Sequence, residues 1–319
     1  MDHKLRWQVA VSRRGKLSDE ENFDMKNSLA GWEGEVFLTD FVRPNIPRHW
    51  IVHPNLWLNG NGPTQIDLMI VNEAGIYLLN AKNYHALFEY RAGKAYYNGK
   101  YWPKDIFAHM QTSLDKVQLI HQKIGCPGRM EAVVAFVNPD YPVRIDDSAP
   151  LKFCTRDTLL GLLQELTDLA DRTAGRGLNI PAVYQQILQY EIENPYGPPV
   201  LDESRYTSLS KGVLCACCHN PRVTVGDYHV SCSCGHRELK RAAVLRTIDE
   251  YALLCHHSHL RKQDLVVFFD GEVSGLYLKK LLMKSDQFEL IQGGRHAAYR
   301  NIYFTGDINR QFLRKKDRL

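Results

Sequence analysis

The sequence predicts an α/β protein with a mixed sheet, followed by a small cysteine-rich module and a helical module. Two observations carry the first part. Gln65–Val71 and Ile76–Leu79 are apolar runs rich in β-branched and aromatic residues, joined by Asn72-Glu73-Ala74-Gly75; this is the pattern of a β-hairpin covered on at least one face. Helical periodicity then alternates with short apolar runs up to about residue 195. The third observation is the placement of cysteine: of eight, five fall between positions 215 and 234, which indicates a local metal site rather than a distributed disulfide framework.

The chain has 319 residues, 44% hydrophobic and 24% charged, with a formal net charge of +4. That length favours more than one domain, and so small an excess of positive charge does not by itself imply a nucleic-acid partner. The first residues have no apolar core behind their charges, and no uncharged run reaches membrane-spanning length. A reducing cytoplasm without membrane association is the simplest expectation.

Residues 1–25 are polar and mixed in charge, and read as a loose arm or short helix. A helix runs from about Ser28 to Phe41, with Glu35 on it and Gly31 and Gly34 permitting close approach to neighbours. Trp50–Leu58 is a strand interrupted by Pro54, hence an edge strand or two short ones. The central hairpin follows, then a second hairpin around Arg91-Ala92-Gly93-Lys94, closed by Tyr101 and Trp102. Ile106, Met110, Leu114, Val117 and Ile120 mark an amphipathic helix over 105–124. Ala132–Val137 and Leu151–Cys154 are short strands, with helices over about 157–166, Thr155 a possible cap, and 181–192. These elements make a domain over 26–195, and the proline- and glycine-rich 196–211 reads as a linker.

Asp67 and Lys82 are unusual for buried strands. Alternation puts Asn80 and Lys82 on one face with Ala81 on the other, so the hairpin brings an acid, an amide and an amine towards one point. Taken singly, Asp67 reads better as a strand-end turn cap and Lys82 as a solvated edge lysine.

Together, Gly31-x-x-Gly34-Glu35, Gln65-Ile66-Asp67, Gly75-Ile76-Tyr77 and Ala81-Lys82-Asn83-Tyr84 resemble the NERD (nuclease-related) domain, over roughly residues 28–140. That family is similar to the PD-(D/E)XK nucleases, so the resemblance implies a restriction-endonuclease-like fold and a Mg²⁺- or Mn²⁺-dependent cut in nucleic acid, DNA in particular. It implies that Asp67 and a second acid hold the metal, that Lys82 positions water or stabilises charge, and that Glu35 adds a ligand or orients water. Gln111 resembles a glutamine of the family, although the Asn-Pro that usually precedes it is absent. The second acid's position is occupied by Asn80, whose amide oxygen can ligate Mg²⁺ but carries no charge; Glu89 is another possible acid. Three functions follow: a nuclease, a degenerate nuclease fold that holds nucleic acid without cutting it, and a protein-interaction adaptor.

Cys215-Ala216-Cys217-Cys218 and Cys232-Ser233-Cys234 flank two short strand-like runs, the layout of a zinc ribbon over 212–237. Cys215, Cys218, Cys232 and Cys234 are the expected Zn²⁺ ligands, with Cys217, His219 and His236 as alternatives. Residues 238–305 show three helices and a hairpin, which resemble a winged helix-turn-helix. Lys279 and Lys280 on its third helix and Arg295, His296 and Arg300 on its hairpin are candidate phosphate contacts. Residues 306–319 form a basic tail.

Overall fold

The computed structural model describes residues 2–173, 175, 177–197, 201–255, 260–294 and 297–301. The chain divides into two compact units, Asn27–Pro195 and Met1–Lys26 with Tyr196–Leu319. It begins with helices α1 (His3–Arg14) and α2 (Asp19–Val42). Of the two expectations for the N-terminus, the helix is what forms: Asp2 caps α1 by accepting from the Leu5 N–H at 2.7 Å, and basic Arg13 and Arg14 close its last turn, both favourable to the helix dipole.

The unit Asn27–Pro195 is built on a five-stranded mixed sheet. β1 (Ile51–Asn59), β2 (Pro63–Asn72) and β3 (Gly75–Lys82) run antiparallel. After β4 (Phe88–Arg91), β5 (Lys94–Tyr97), β6 (Lys100–Trp102) and α3 (Ile106–Lys123), the chain returns as β7 (Arg129–Phe136), parallel to β3. β8 (Val143–Ile145) leads to β9 (Lys152–Thr155), parallel to β7, and α4 (Leu159–Arg172) and α5 (Ile180–Leu188) complete the unit. The order is β1-β2-β3-β7-β9, so Pro54 lies on an edge strand, where its missing N–H breaks no inner ladder. β2 and β3 are nearly continuous apolar runs because helices cover the sheet: α3 packs on β2 and β7, and α5 on β1 and β2.

The β2–β3 turn is set by Asn72, fully buried, whose Oδ1 accepts from the N–H groups of Ala74 and Gly75 at 2.9 and 3.0 Å. Gly75 is required by space, since a Cβ there would stand 2.2 Å from the Arg129 carbonyl oxygen. A second sheet, β6-β5-β4-β8, extends the unit. β8 was not among the expected strands. Its inner face is an aromatic cluster in which Tyr84 packs on Phe88, Tyr97, Trp102 and Phe136.

In the other unit, residues 196–211 contain α6 (Glu203–Ser208), and Leu209 is buried in the core, so this stretch is not the open linker its composition suggests. β10 (Val223–Val225), β11 (His229–Cys232) and β12 (Arg237–Leu239) form a three-stranded antiparallel sheet. α7 (Lys240–Cys255), β13 (Leu260–Arg261), α8 (Lys262–Phe268), α9 (Gly275–Lys284), β14 (Phe288–Gln292) and β15 (Ala298–Asn301) follow, with β15 between β13 and β14. α1 belongs to this core through Trp7, Ala10 and Val11. Its Arg14, wholly buried, pairs with Glu250 at 2.6 Å and donates to the carbonyls of Ser210 and Gly212. A buried guanidinium is tolerable only when its donors are satisfied in this way. Arg295, His296, the expected cap Ser258 and the basic tail lie outside the described residues. No described helix is long and apolar enough to cross a membrane.

Candidate functional site

The register of the central hairpin brings the polar residues together. Leu68 pairs with Leu79, so Asp67 and Asn80 stand next in line on one face, with Lys82 two residues further along the same face. Asp67 is only 7% exposed. Asn80 Nδ2 donates to Asp67 Oδ2 at 2.7 Å, and the Ala81 N–H donates to the same oxygen at 2.9 Å. The other side of the amide is different: Asn80 Oδ1 is buried and has no hydrogen-bond partner among the described residues. An unpaired buried acceptor is costly, and here it lies beside a buried carboxylate.

α2 supplies Glu35. Its approach depends on Gly34, where a Cβ would come within 2.8 Å of Asn83 Cβ and 3.2 Å of Val137 Cγ2. Asn83, next after Lys82, ties the strand end to the helix by donating from Nδ2 to the Ala30 carbonyl at 2.8 Å. Gly31 has open space around its Cα, so of the two glycines only Gly34 serves close approach.

Burial raises the pKa of Asp67, opposed by the charge of Lys82 and the Ala81 N–H. Burial lowers that of Lys82, opposed first by Asp67 and then by Glu35. The Lys82 ammonium is thus favoured by both carboxylates, Asp67 and Glu35, against the desolvation that disfavours it. His109 on α3 joins it: burial lowers its pKa, and Lys82 and Lys116 lower it further. Sequence reasoning missed His109, which only the packing of α3 brings near. It also missed Asn55, which the β1–β2 register places across from Asp67. Asn55 has a left-handed backbone (φ 51°) and accepts from Gln65 Nε2 at 2.9 Å. Pro54-Asn55 within a strand was the available signal for that irregularity.

Two other residues are directed elsewhere. Gln111 Nε2 donates to Asp115 on its own helix at 2.7 Å, and Glu89 lies on the second sheet, 4.0 Å from Arg144.

The cysteine cluster is a separate site. The Sγ atoms of Cys215, Cys218, Cys232 and Cys234 all lie within 4.8 Å of one another, with Cys215–Cys234 at 3.7 Å and Cys218–Cys232 at 3.6 Å. A tetrahedral ion with metal–sulfur bonds of about 2.3 Å needs sulfur–sulfur edges of about 3.8 Å, so these four could hold Zn²⁺. Cys217, His219 and His236 are not in the cluster. Burial disfavours the Cys215 thiolate, but the backbone N–H groups of Cys218 and Cys217 outweigh it and bring its pKa down to about 6. Cys234 is instead pushed up to about 12, with the Cys218, Cys215 and Cys232 thiols raising it. The Cys215 thiolate thus forms easily, whereas Cys218 and Cys234 resist until a cation neutralises them.

Lys279, Lys280 and Arg300 are exposed on α9 and β15. Leu276 and Met283, 64% and 63% exposed, share the outer surface of α9.

Residues 30–137 match the family model of the nuclease-related domain (NERD). The chain carries a nuclease-related domain over this stretch, which contains Glu35, Asp67, Asn80, Lys82 and His109, and its mixed α/β architecture fits that assignment. The match ends before the cysteine cluster. No match was found among curated proteins or among solved structures.

Proposed function

We propose that the Asp67–Asn80–Lys82 site hydrolyses phosphodiester bonds in nucleic acid, DNA in particular, with a divalent cation of the Mg²⁺ or Mn²⁺ type. The observation that carries this reading is the buried, unpartnered Asn80 Oδ1 beside Asp67. Both hydrogen bonds to Asp67 fall on Oδ2, which leaves its Oδ1 for a ligand. Two hard oxygens on adjacent strands, with the Glu35 carboxylate from α2, are a donor set that suits Mg²⁺, which keeps several waters of its own. When bound, the ion would acidify a water and neutralise charge on the scissile phosphate.

The protein's own groups divide the remaining work. Asn80 and the Ala81 N–H fix the orientation of Asp67. Lys82, desolvated and within the field of Asp67 and Glu35, offers its ammonium to a phosphate oxygen, where a desolvated charge counts most. Gly34 keeps α2 close enough for Glu35 to act with Lys82. In the other unit, a structural Zn²⁺ on Cys215, Cys218, Cys232 and Cys234 closes the β10–β12 sheet. The helix, strand, helix, helix, hairpin order that follows is that of a winged helix, with Lys279, Lys280 and Arg300 as sequence-independent phosphate contacts.

A second reading rests on Asn80 itself. Its amide supplies no charge, and its Nδ2 already satisfies Asp67, so the fold would bind nucleic acid without cutting it. Purified protein incubated with single- and double-stranded DNA and RNA decides between them. The first reading expects cleavage that needs Mg²⁺ or Mn²⁺ and is lost in Asp67→Ala and Lys82→Ala. The second expects salt-sensitive binding, no hydrolysis, and cutting gained in Asn80→Glu. Failure to bind or cut any of these substrates would refute both.

A further inference from the structure

The second sheet, β6-β5-β4-β8, has its inner face filled by Phe88, Tyr90, Ala95 and the Tyr84 cluster. Its outer face follows from the register. Glu89 on β4 stands opposite Tyr96 on β5 and Arg144 on β8, and Tyr96 stands opposite Tyr101 on β6. Alternation puts Arg91 and Lys94, themselves a cross-strand pair, on the same face. The result is a solvent-facing surface of tyrosines set among cations.

The tyrosines are presented rather than stored. Tyr101 is 62% exposed, and its ring lies 6.1 Å from that of Tyr96 at 73°. The Arg91 guanidinium sits 4.4 Å above the Tyr96 ring, so that ring face is covered by a cation. The Arg144 side chain is 70% exposed, and Glu89, the one acid in that row, is 4.0 Å from it. Asp146 borders the surface at the Ala92-Gly93 turn, where its Oδ2 accepts the Ala92 N–H.

We propose that this face is a platform for an unpaired strand of nucleic acid, with a base stacking on Tyr101 beside the Arg91-covered Tyr96 and phosphates meeting Arg91, Lys94 and Arg144. Charge complementarity chooses nucleic acid, since Arg91, Lys94 and Arg144 outnumber the acid among them. The exposed Tyr101 ring chooses the unpaired strand, because bases inside a duplex are stacked on one another and offer no free face. The platform deepens the proposed function and rests on its assignment of nucleic acid as the substrate. The same sheet is tied to the candidate site from its inner side. Tyr84, two residues after Lys82, packs on Tyr97 at 5.8 Å and on Trp102 at 5.4 Å, so strand and site are held in one fixed frame.

The test is fluorescence anisotropy of the full chain with a short labelled oligothymidylate and with a labelled duplex, no divalent ion added. Stacking on an aromatic residue predicts that Tyr101→Ala weakens binding of the oligothymidylate on the order of 5- to 100-fold, while duplex binding stays within about twofold. Tyr101→Phe keeps the ring and should bind like the unmodified protein. Lys94→Ala should make the salt dependence shallower by about 0.7 in the log–log slope. Unchanged oligothymidylate binding in Tyr101→Ala overturns the platform, as does an equal loss on duplex or a Tyr101→Phe as weak as Tyr101→Ala. Divalent-ion-dependent cleavage, assayed on the same preparations, separates this result from the site reading. Cleavage alongside unchanged Tyr101→Ala binding overturns the platform alone. Loss of binding in Tyr101→Ala without any cleavage by the unmodified protein supports the platform and overturns the hydrolytic reading alone.

Discussion

Gly31 and Gly34, one turn apart on α2, should respond oppositely to the same substitution. Replacing a helical glycine by alanine gains about 1 kcal/mol of helix propensity at either position. At Gly31 nothing lies within 4 Å of the new methyl group, so Gly31→Ala should stabilise the protein by about that amount. At Gly34 the methyl carbon would stand 2.8 Å from Asn83 Cβ. That atom cannot swing aside, because it is fixed to a backbone held by the Val137 N–H to Lys82 carbonyl bond at 3.0 Å. The Asn83 side chain is also committed, to Ala30 and Asn138. α2 must then retreat, and overpacking of this kind costs about 1–3 kcal/mol. The propensity gain is common to both variants, so Gly34→Ala should be less stable than Gly31→Ala by about 1–3 kcal/mol. Urea unfolding followed by tryptophan fluorescence reads this well, since Trp32, Trp50, Trp57 and Trp102 lie in Asn27–Pro195 and only Trp7 lies elsewhere. A Gly34→Ala variant as stable as Gly31→Ala would refute the close approach, and with it the route by which Glu35 reaches Lys82.

Other consequences are as direct. Asp249 is half-buried among Gln287, Asn301, Arg6 and Glu250, and desolvation raises its pKa to about 7. The folded protein then binds a proton that the unfolded chain has released, so stability should fall by about 1.4 kcal/mol per pH unit between about 4 and 7. Asp249→Asn keeps an acceptor for Gln287 and Asn301 and should flatten that slope, as unfolding at pH 5 and 8 would show; an unchanged slope would exclude Asp249 as its source. Denatured protein should release zinc, measurable with a colorimetric chelator, and Cys215→Ser or Cys234→Ser should lower the yield while Cys217→Ser leaves it intact. Equal loss in Cys217→Ser would place the wrong thiol outside the cluster.

Much of the fold was legible because its signals are local. The β2–β3 hairpin follows from apolar runs around an Asn-x-x-Gly turn, and the structure shows both turn residues in use: Asn72 as acceptor, Gly75 for lack of room. The convergence of Asp67, Asn80 and Lys82 was readable from alternation alone. Short elements were not. Three residues of β8 and six of α6 are too few to show a period, although Asp202, which caps α6 by accepting from the Arg205 N–H at 2.8 Å, was a visible cue. The charges of α1 left a helix as only one of two expectations, yet Trp7, Ala10, Val11 and Arg14 fall at helical spacing, and Arg14 is buried because Glu250 and two carbonyls, far away in sequence, receive it. His109 and Asn55 were illegible for the same reason: their nearness to Asp67 and Lys82 depends on which elements pack together.

Asn80 changes the balance of the site more than its shape. Two buried carboxylates in contact would hold one proton between them in the absence of a cation, since like charges out of water cannot both ionise cheaply. An amide removes that conflict. Its Nδ2 fixes Asp67 through a 2.7 Å hydrogen bond, and its Oδ1 still faces inward as an acceptor. The remaining charges are Asp67 and Glu35 against Lys82, one negative charge fewer than a site with a second acid. Under the proposed reading, a divalent cation is therefore held less tightly and an anionic phosphate is repelled less. Metal and phosphate then depend on each other, because the phosphate brings the negative charge that residue 80 does not. The site so built would load its cation with its substrate, and Asn80 marks a shift in the order of binding as naturally as it marks a loss of cutting.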